Sequence, residues 1–250
     1  MAESVQNGLI QAAQAARETA VQKAPNGVSY GVFGDTGLTE KDLDRMVQAV
    51  PAAVANALGR KVYYFVPLAI GETRASETTL VAPAYTTELG DQAICHRNVP
   101  LDGAEGVFIS ARLMSDRFSL AFEFFINVGH AFVDAAGVPD EFNQLVWSQA
   151  LAGARGETSQ DAWESRNLSL ANGRGSVDEK AKSSFLESAF SDAIAIYLLS
   201  LSVDFDYAEL REREYPLLAP QSLADRLRLV AKLFPPNSGY EFSIRYRRRA

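Results

Sequence analysis

Apolar and polar positions are patterned differently in the two halves of this chain. In the first half several short runs alternate with a period of two or are rich in β-branched and aromatic residues, which predicts strands. Val28-Ser29-Tyr30-Gly31-Val32-Phe33 alternates in this way, and Lys61-Val62-Tyr63-Tyr64-Phe65-Val66 is the strongest such run. Residues 78–83 predict a weaker strand and 106–113 a third, with a Gly/Asp-rich loop between them that carries Cys95 and His96. Two helices are expected among these strands. Residues 3–23 are Ala- and Gln-rich, with Leu9, Ala13, Ala16 and Ala20 near helical spacing, and Pro25-Asn26-Gly27 ends the segment. Thr39 is placed to cap a helix over 40–58 whose apolar face is Leu43, Met46, Val47, Val50, Val54 and Leu58, kinked at Pro51.

From residue 115 onward the period is helical. Ser115 and Asp116 are expected to cap a helix reaching Ala136, Pro139-Asp140 to open one through Leu151, and Thr158-Ser159-Gln160-Asp161 to open another. After a loop at Gly173-Arg174-Gly175, a very apolar helix is expected over 178–202 and a Leu-rich one over 222–233, stopped by Pro235-Pro236. Strands followed by helices predict the α+β class. The expected organisation is an N-terminal helix over 1–24 that docks on a partner or packs lightly. A single domain over 25–250 follows, sheet-rich over 25–114, helical over 115–236 and ending in a basic tail over 237–250.

Composition narrows the setting. A chain of 250 residues with 47% hydrophobic and 22% charged residues has a substantial core to bury, and a net charge of −7 argues against a general nucleic-acid binder. The single cysteine, Cys95, allows no internal disulfide. The first residues lack the pattern of a signal peptide, and no run approaches the ~18 apolar residues of a membrane span. A cytoplasmic setting without a membrane span is therefore expected.

The helix expected over 116–136 is apolar nearly all round, and its polar exceptions Glu123, Asn127, His130 and Asp134 fall at i, i+4, i+7 and i+11, on one stripe. Such a stripe either lines a cleft or forms a hydrogen-bonded seam inside the core, and buried polar groups are usually just paired.

The same helix carries a resemblance. Ile126-Asn127-Val128-Gly129-His130-Ala131 is similar to the zincin motif His-Glu-x-Gly-His-Ala of metallopeptidases, in which two His at i and i+4 hold Zn²⁺ and the Glu is general base. The second half of the motif is present. Its first half is replaced by Ile126, which cannot ligate a metal, and Asn127, which cannot take a proton from water. Downstream, Glu187-Ser188-Ala189-Phe190-Ser191-Asp192 resembles the Asn-Glu-x-x-Ser-Asp helix of the gluzincins. The resemblance puts Ser188 at the third-ligand position and Asp192 at the carboxylate that supports a metal-bound His, and a one-residue slip would return Glu187 to the ligand place. It spans roughly residues 104–202 and implies a twisted sheet with 106–113 as its edge strand, the degenerate helix next, and the 178–202 helix packed beside it.

From this resemblance follow the expected remnant site (Ile126, Asn127, His130, Glu187, Ser188, Asp192), no catalytic residue and no cofactor. His130 is expected to pair with Asp192 or Glu187 instead of a metal. The expected role is that of an inactive metallopeptidase-like protein that binds or assembles, its partner another protein or a second copy. The alternative is a hydrolase acting through the His130 face, with His130, Asp134 and Glu187 as weak ligands and zinc as cofactor. Cys95 and His96 are neighbours in sequence, so in extended backbone they point to opposite sides and make a poor dyad. The run Arg245-Tyr246-Arg247-Arg248-Arg249 reads as a solvated tail, or as a dock for an acidic surface.

Overall fold

The computed structural model describes residues 8–71, 79–90, 95–111, 117–171, 177–210 and 215–245. Expectations for the 3–7 end of the first helix, the Ser115/Asp116 cap, the 173–175 loop and the 246–249 part of the basic run lie outside these residues. The chain forms two compact units, 1–127 and 128–250. The class is α+β.

The first unit holds the described strands: β1 (Ile10–Gln11), β2 (Gln22–Lys23), β3 (Ser29–Val32), β4 (Lys61–Val66), β5 (Leu68–Gly71), β6 (Thr79–Ala82), β7 (Cys95–Leu101) and β8 (Ala104–Ser110). Five of them form a mixed sheet in the order β2-β3-β4-β8-β7, and three form an antiparallel sheet in the order β1-β6-β5. β3, β4 and β8 run parallel. Parallel neighbours need a crossover. Helix α1 (Ala12–Glu18) precedes these strands, and the crossover from β3 to β4 carries α2 (Glu40–Gln48) and α3 (Ala52–Ala57). Thr39 caps α2 as expected, accepting from the Asp42 amide. The single kinked helix expected over 40–58 is instead two. Pro51 takes extended backbone at the N-cap of α3, because proline lacks the N–H and clashes with the preceding turn.

β4 is buried on both faces, which explains its unbroken run of aromatic and β-branched residues. Tyr64 stacks on Phe108 of β8 at 4.8 Å and shares a core cluster with Ala12 and Ala15 of α1. Tyr63 and Phe65 face the other way, where Phe124 meets them at 5.0 and 5.8 Å. A short helix α4 (Thr87–Gly90) follows β6. Phe124 belongs to α5 (Arg117–Ala136), which follows β8 and runs through the boundary of the two units.

Three further expectations need correction. The helix expected over 3–23 is, in its described part, β1, the short α1 and β2. An Ala/Gln segment with a small apolar face loses to pairing with β6 and β3. The strand expected at the sheet edge, β8, is interior and pairs on both sides. The edge strand is β7, expected as a loop. Its polar residues, its Pro100 and a bulge between His96 and Val99, with Asn98 at φ 59°, hide its strand character but suit an edge.

The second unit is helical: the end of α5, then α6 (Asp140–Leu151), α7 (Gln160–Leu170), α8 (Glu179–Ser202) and α9 (Pro220–Leu233), with a 3-10 turn at Tyr207–Leu210. Pro139 precedes α6, Ser159 caps α7 and Asp178 caps α8, as the helix-start signals indicate. α8 is the central helix. By length and composition it could cross a membrane, with mean hydropathy 1.3 over its best window, but 67% of that window is buried inside the protein. Phe190 of α8 gathers Phe142, Phe132 and Phe234 at 4.7, 6.1 and 6.4 Å.

Candidate functional site

The polar stripe of α5 divides between the two units. In the first unit Asn127 is buried, and its amide nitrogen donates to the Glu123 carbonyl at 2.7 Å and to the Glu123 carboxylate at 3.1 Å. The stripe is answered by β7, where the Cys95 thiol lies within hydrogen-bond reach of the Glu123 and Asn127 side chains. Burial, reinforced by the Glu123 carboxylate, pushes the thiol well above the usual cysteine range. A thiol that holds its proton this firmly is a poor nucleophile at neutral pH. The Tyr63 hydroxyl is fully buried with no hydrogen-bond partner among the described residues, and burial pushes it up as well.

His96 faces away from Cys95, as alternation along a strand requires. Its Nδ1 stands 2.6 Å from Thr79 Oγ1 on β6, and burial holds the imidazole below its usual value. The contact joins β7 to the three-stranded sheet. Cys95 and His96 are thus two clips on opposite faces of one strand and not a dyad.

In the second unit the "Gly-His-Ala" half of the motif has a packing role. A Cβ at Gly129 would lie 2.5 Å from the Ser191 carbonyl oxygen and 3.0 Å from its hydroxyl, so only glycine lets α5 approach α8 this closely. The expected contact between these helices is therefore present. His130 is half-buried and Asp134 exposed. On α8, Glu187 is exposed and accepts from Ser183 Oγ at 3.0 Å, whereas Ser188 is half-buried and shares the Asp192 face one turn on. The expected pairing of Asp192 with His130 or Glu187 is replaced by another. Thr158 Oγ1 donates to Asp192 at 2.8 Å and the Ser159 side chain bonds it as well. These hydroxyls open α7, and α7 packs along α8.

A zinc ion needs nitrogen, sulfur or carboxylate donors. Of the three ligand positions that the resemblance implies, only His130 offers such a donor, while Ile126 and Ser188 do not, so these residues do not fit a three-ligand zinc site. Among the described residues no group of three or more His, Cys, Asp or Glu is arranged to hold a metal ion.

Sequence reasoning missed the most polar part of the core. Glu157 is fully buried and receives two guanidinium groups. Arg166 Nη1 donates to Oε1 at 3.0 Å, and Arg226 donates to Oε2 and Oε1 at 2.8 and 3.2 Å. Arg226, itself fully buried, also donates to Gln149 at 2.8 Å, and Arg166 to the Gly156 carbonyl at 3.0 Å. A signal was available on α9, where Arg226 sits on the buried face formed by Leu223, Leu227 and Val230. An arginine on the apolar face of a helix calls for a buried acid.

Comparison with known proteins returns no family model, no curated relative and no solved structure that matches this chain.

Proposed function

We propose that this chain is a catalytically inactive, zincin-like protein whose role is binding or assembly. The observation that carries the reading is the fate of the motif positions on α5. The position of the general base holds Asn127, whose amide is committed to Glu123, and the position of the first ligand holds Ile126. On α8 the face of Asp192 carries Ser188 where a third ligand would stand, and Asp192 itself serves Thr158 and Ser159. The order of strand β8 followed by α5 and the close approach of α5 to α8 at Gly129 support the reading, while the implied edge position falls to β7 and not to β8. A protein partner or a second copy is the proposed ligand class.

The test is to rebuild the motif. In the variant Ile126→His, Asn127→Glu, Ser188→Glu, zinc should raise the melting temperature, because a metal that binds only the folded state stabilises it. The unaltered protein should show no such shift and no zinc-dependent peptide hydrolysis. A folded triple variant indifferent to zinc would refute the motif register. Zinc-dependent hydrolysis by the unaltered protein, lost on His130→Ala, would replace the proposal with the hydrolase reading.

A further inference from the structure

We propose that Asp192 is a proton-operated latch between α8 and the start of α7: ionisation strengthens the two hydroxyl bonds it accepts but costs more in desolvation, so the neutral carboxyl favours the folded junction and the ionised one opposes it. Two carboxylates and two guanidinium groups are buried near one another in the second unit, but the pairing is unequal. Arg166 and Arg226 both direct their donors to Glu157. Asp192, only 9% exposed, is left with the neutral hydroxyls of Thr158 and Ser159 as its hydrogen-bond donors among the described residues. A carboxylate buried without an ion pair of its own favours its neutral form.

The charged and titratable neighbours pull in both directions. Arg226 on α9 favours ionisation from a distance, and Glu157 opposes it. Tyr215 donates to the Thr158 carbonyl at 3.1 Å, and Tyr207 lies in the field of the same Arg226 and Glu157. From α5, Gly129 packs on Ser191, and His130 is the titratable residue next to it. On α8 itself, Glu187 is exposed. Desolvation outweighs the favourable contacts, and burial pushes Asp192 up to about 6 from the ordinary 3.8.

The site of the latch gives it leverage. Thr158 and Ser159 are consecutive, and Ser159 caps α7 by accepting from the Ala162 amide. The preceding residue, Glu157, pairs its backbone with Pro216 and Leu218. Asp192 thus holds a junction where α7, the 215–218 segment and α8 come together.

The sign follows from linkage. The folded-state value lies above the unfolded one, so the contribution of Asp192 is complete below about pH 4. It is lost as the pH rises to about 6, because the unfolded chain ionises first. A rise from 3.8 to about 6 corresponds to roughly a hundredfold change in the folding equilibrium.

The experiment is urea unfolding of the protein and of Asp192→Asn, from about pH 4 to about pH 7.5, followed by tryptophan fluorescence. Both tryptophans, Trp147 and Trp163, lie in the second unit. Comparing the two proteins cancels the carboxylates they share. The ratio of their folding constants should move against the unaltered protein by roughly ten- to a hundredfold as the pH rises through this window. A flat ratio, or one that moves in favour of the unaltered protein, overturns the proposal. A pH dependence that persists in Asp192→Asn but disappears in His130→Ala also overturns it and makes the histidine the sensor. Should Asp192→Asn fail to fold, carboxyl-carbon NMR of the unaltered protein decides. One aspartate signal titrating near pH 6 is expected, and titration of every aspartate below about pH 5 excludes the latch.

Discussion

Replacing Glu157 by Gln removes one charge from the second unit while keeping the shape of the side chain. Both carboxylate oxygens are in use: Oε1 accepts from Arg166 at 3.0 Å and Arg226 at 3.2 Å, and Oε2 accepts from Arg226 at 2.8 Å. Glutamine leaves one acceptor oxygen and turns an N–H₂ group toward a guanidinium. The remaining amide oxygen can serve one guanidinium, but no carboxylate faces either at that position: Arg226 would otherwise fall back on Gln149, and Arg166 on the Gly156 carbonyl. Neither guanidinium can reach water easily, since Arg226 is fully buried and Arg166 nearly so. Breaking a buried ion pair by removing one partner costs about 3–5 kcal/mol, and here a single acid serves two cations, so the upper part of that range is expected. Small domains are stable by only about 5–15 kcal/mol, so the loss is large. Urea unfolding read by Trp147 and Trp163 measures it. The exposed pair Lys182–Glu179, 3.1 Å apart, supplies a control: Glu179→Gln should cost less than about 0.5 kcal/mol. Exchanging Glu157, Arg166 and Arg226 together for Leu, Met and Met should recover most of the stability, because neither guanidinium is then left without its acid. A Glu157→Gln variant within about 1 kcal/mol of the unaltered protein would refute this account, since a buried acid holding two arginines cannot be that dispensable.

Two further outcomes test the packing around α5. Gly129→Ala should destabilise the second unit by about 1–3 kcal/mol, because the new methyl meets the Ser191 backbone oxygen at 2.5 Å, and the better helix propensity of alanine, about 1 kcal/mol, offsets only part of this. Thermal melts check it, and an unchanged or raised melting temperature would count against the close crossing. Cys95 should react with a thiol reagent at pH 8 at least roughly tenfold more slowly in the folded protein than in urea, since burial and Glu123 raise its thiol. Glu123→Gln should quicken the folded-state reaction, and rapid labelling of the unaltered protein would show the thiol to be open.

What the sequence determined by itself was mostly local. Helix starts at Thr39, Ser159 and Asp178 were legible because a capping side chain bonds an amide three residues away. β4 was legible because a strand buried on both faces needs an unbroken apolar run. The α+β order was legible because the period of the pattern changes once along the chain. Only the tertiary structure decided what depends on distant partners. β7 reads as a polar loop and becomes a strand through pairing with β8, while the Ala-rich start of the chain gives up part of its helix to β6 and β3. Asp192 could be placed on the buried helix α8 from its neighbours, but its choice of Thr158 and Ser159 over His130 depends on where α7 begins in space. Likewise Arg166 and Arg226 lie on different helices, far apart in the chain, and meet only because Glu157 lies between them in the fold. Propensity and periodicity act over a few residues, whereas the pairing of buried charge is settled by whichever groups packing brings within about 3 Å.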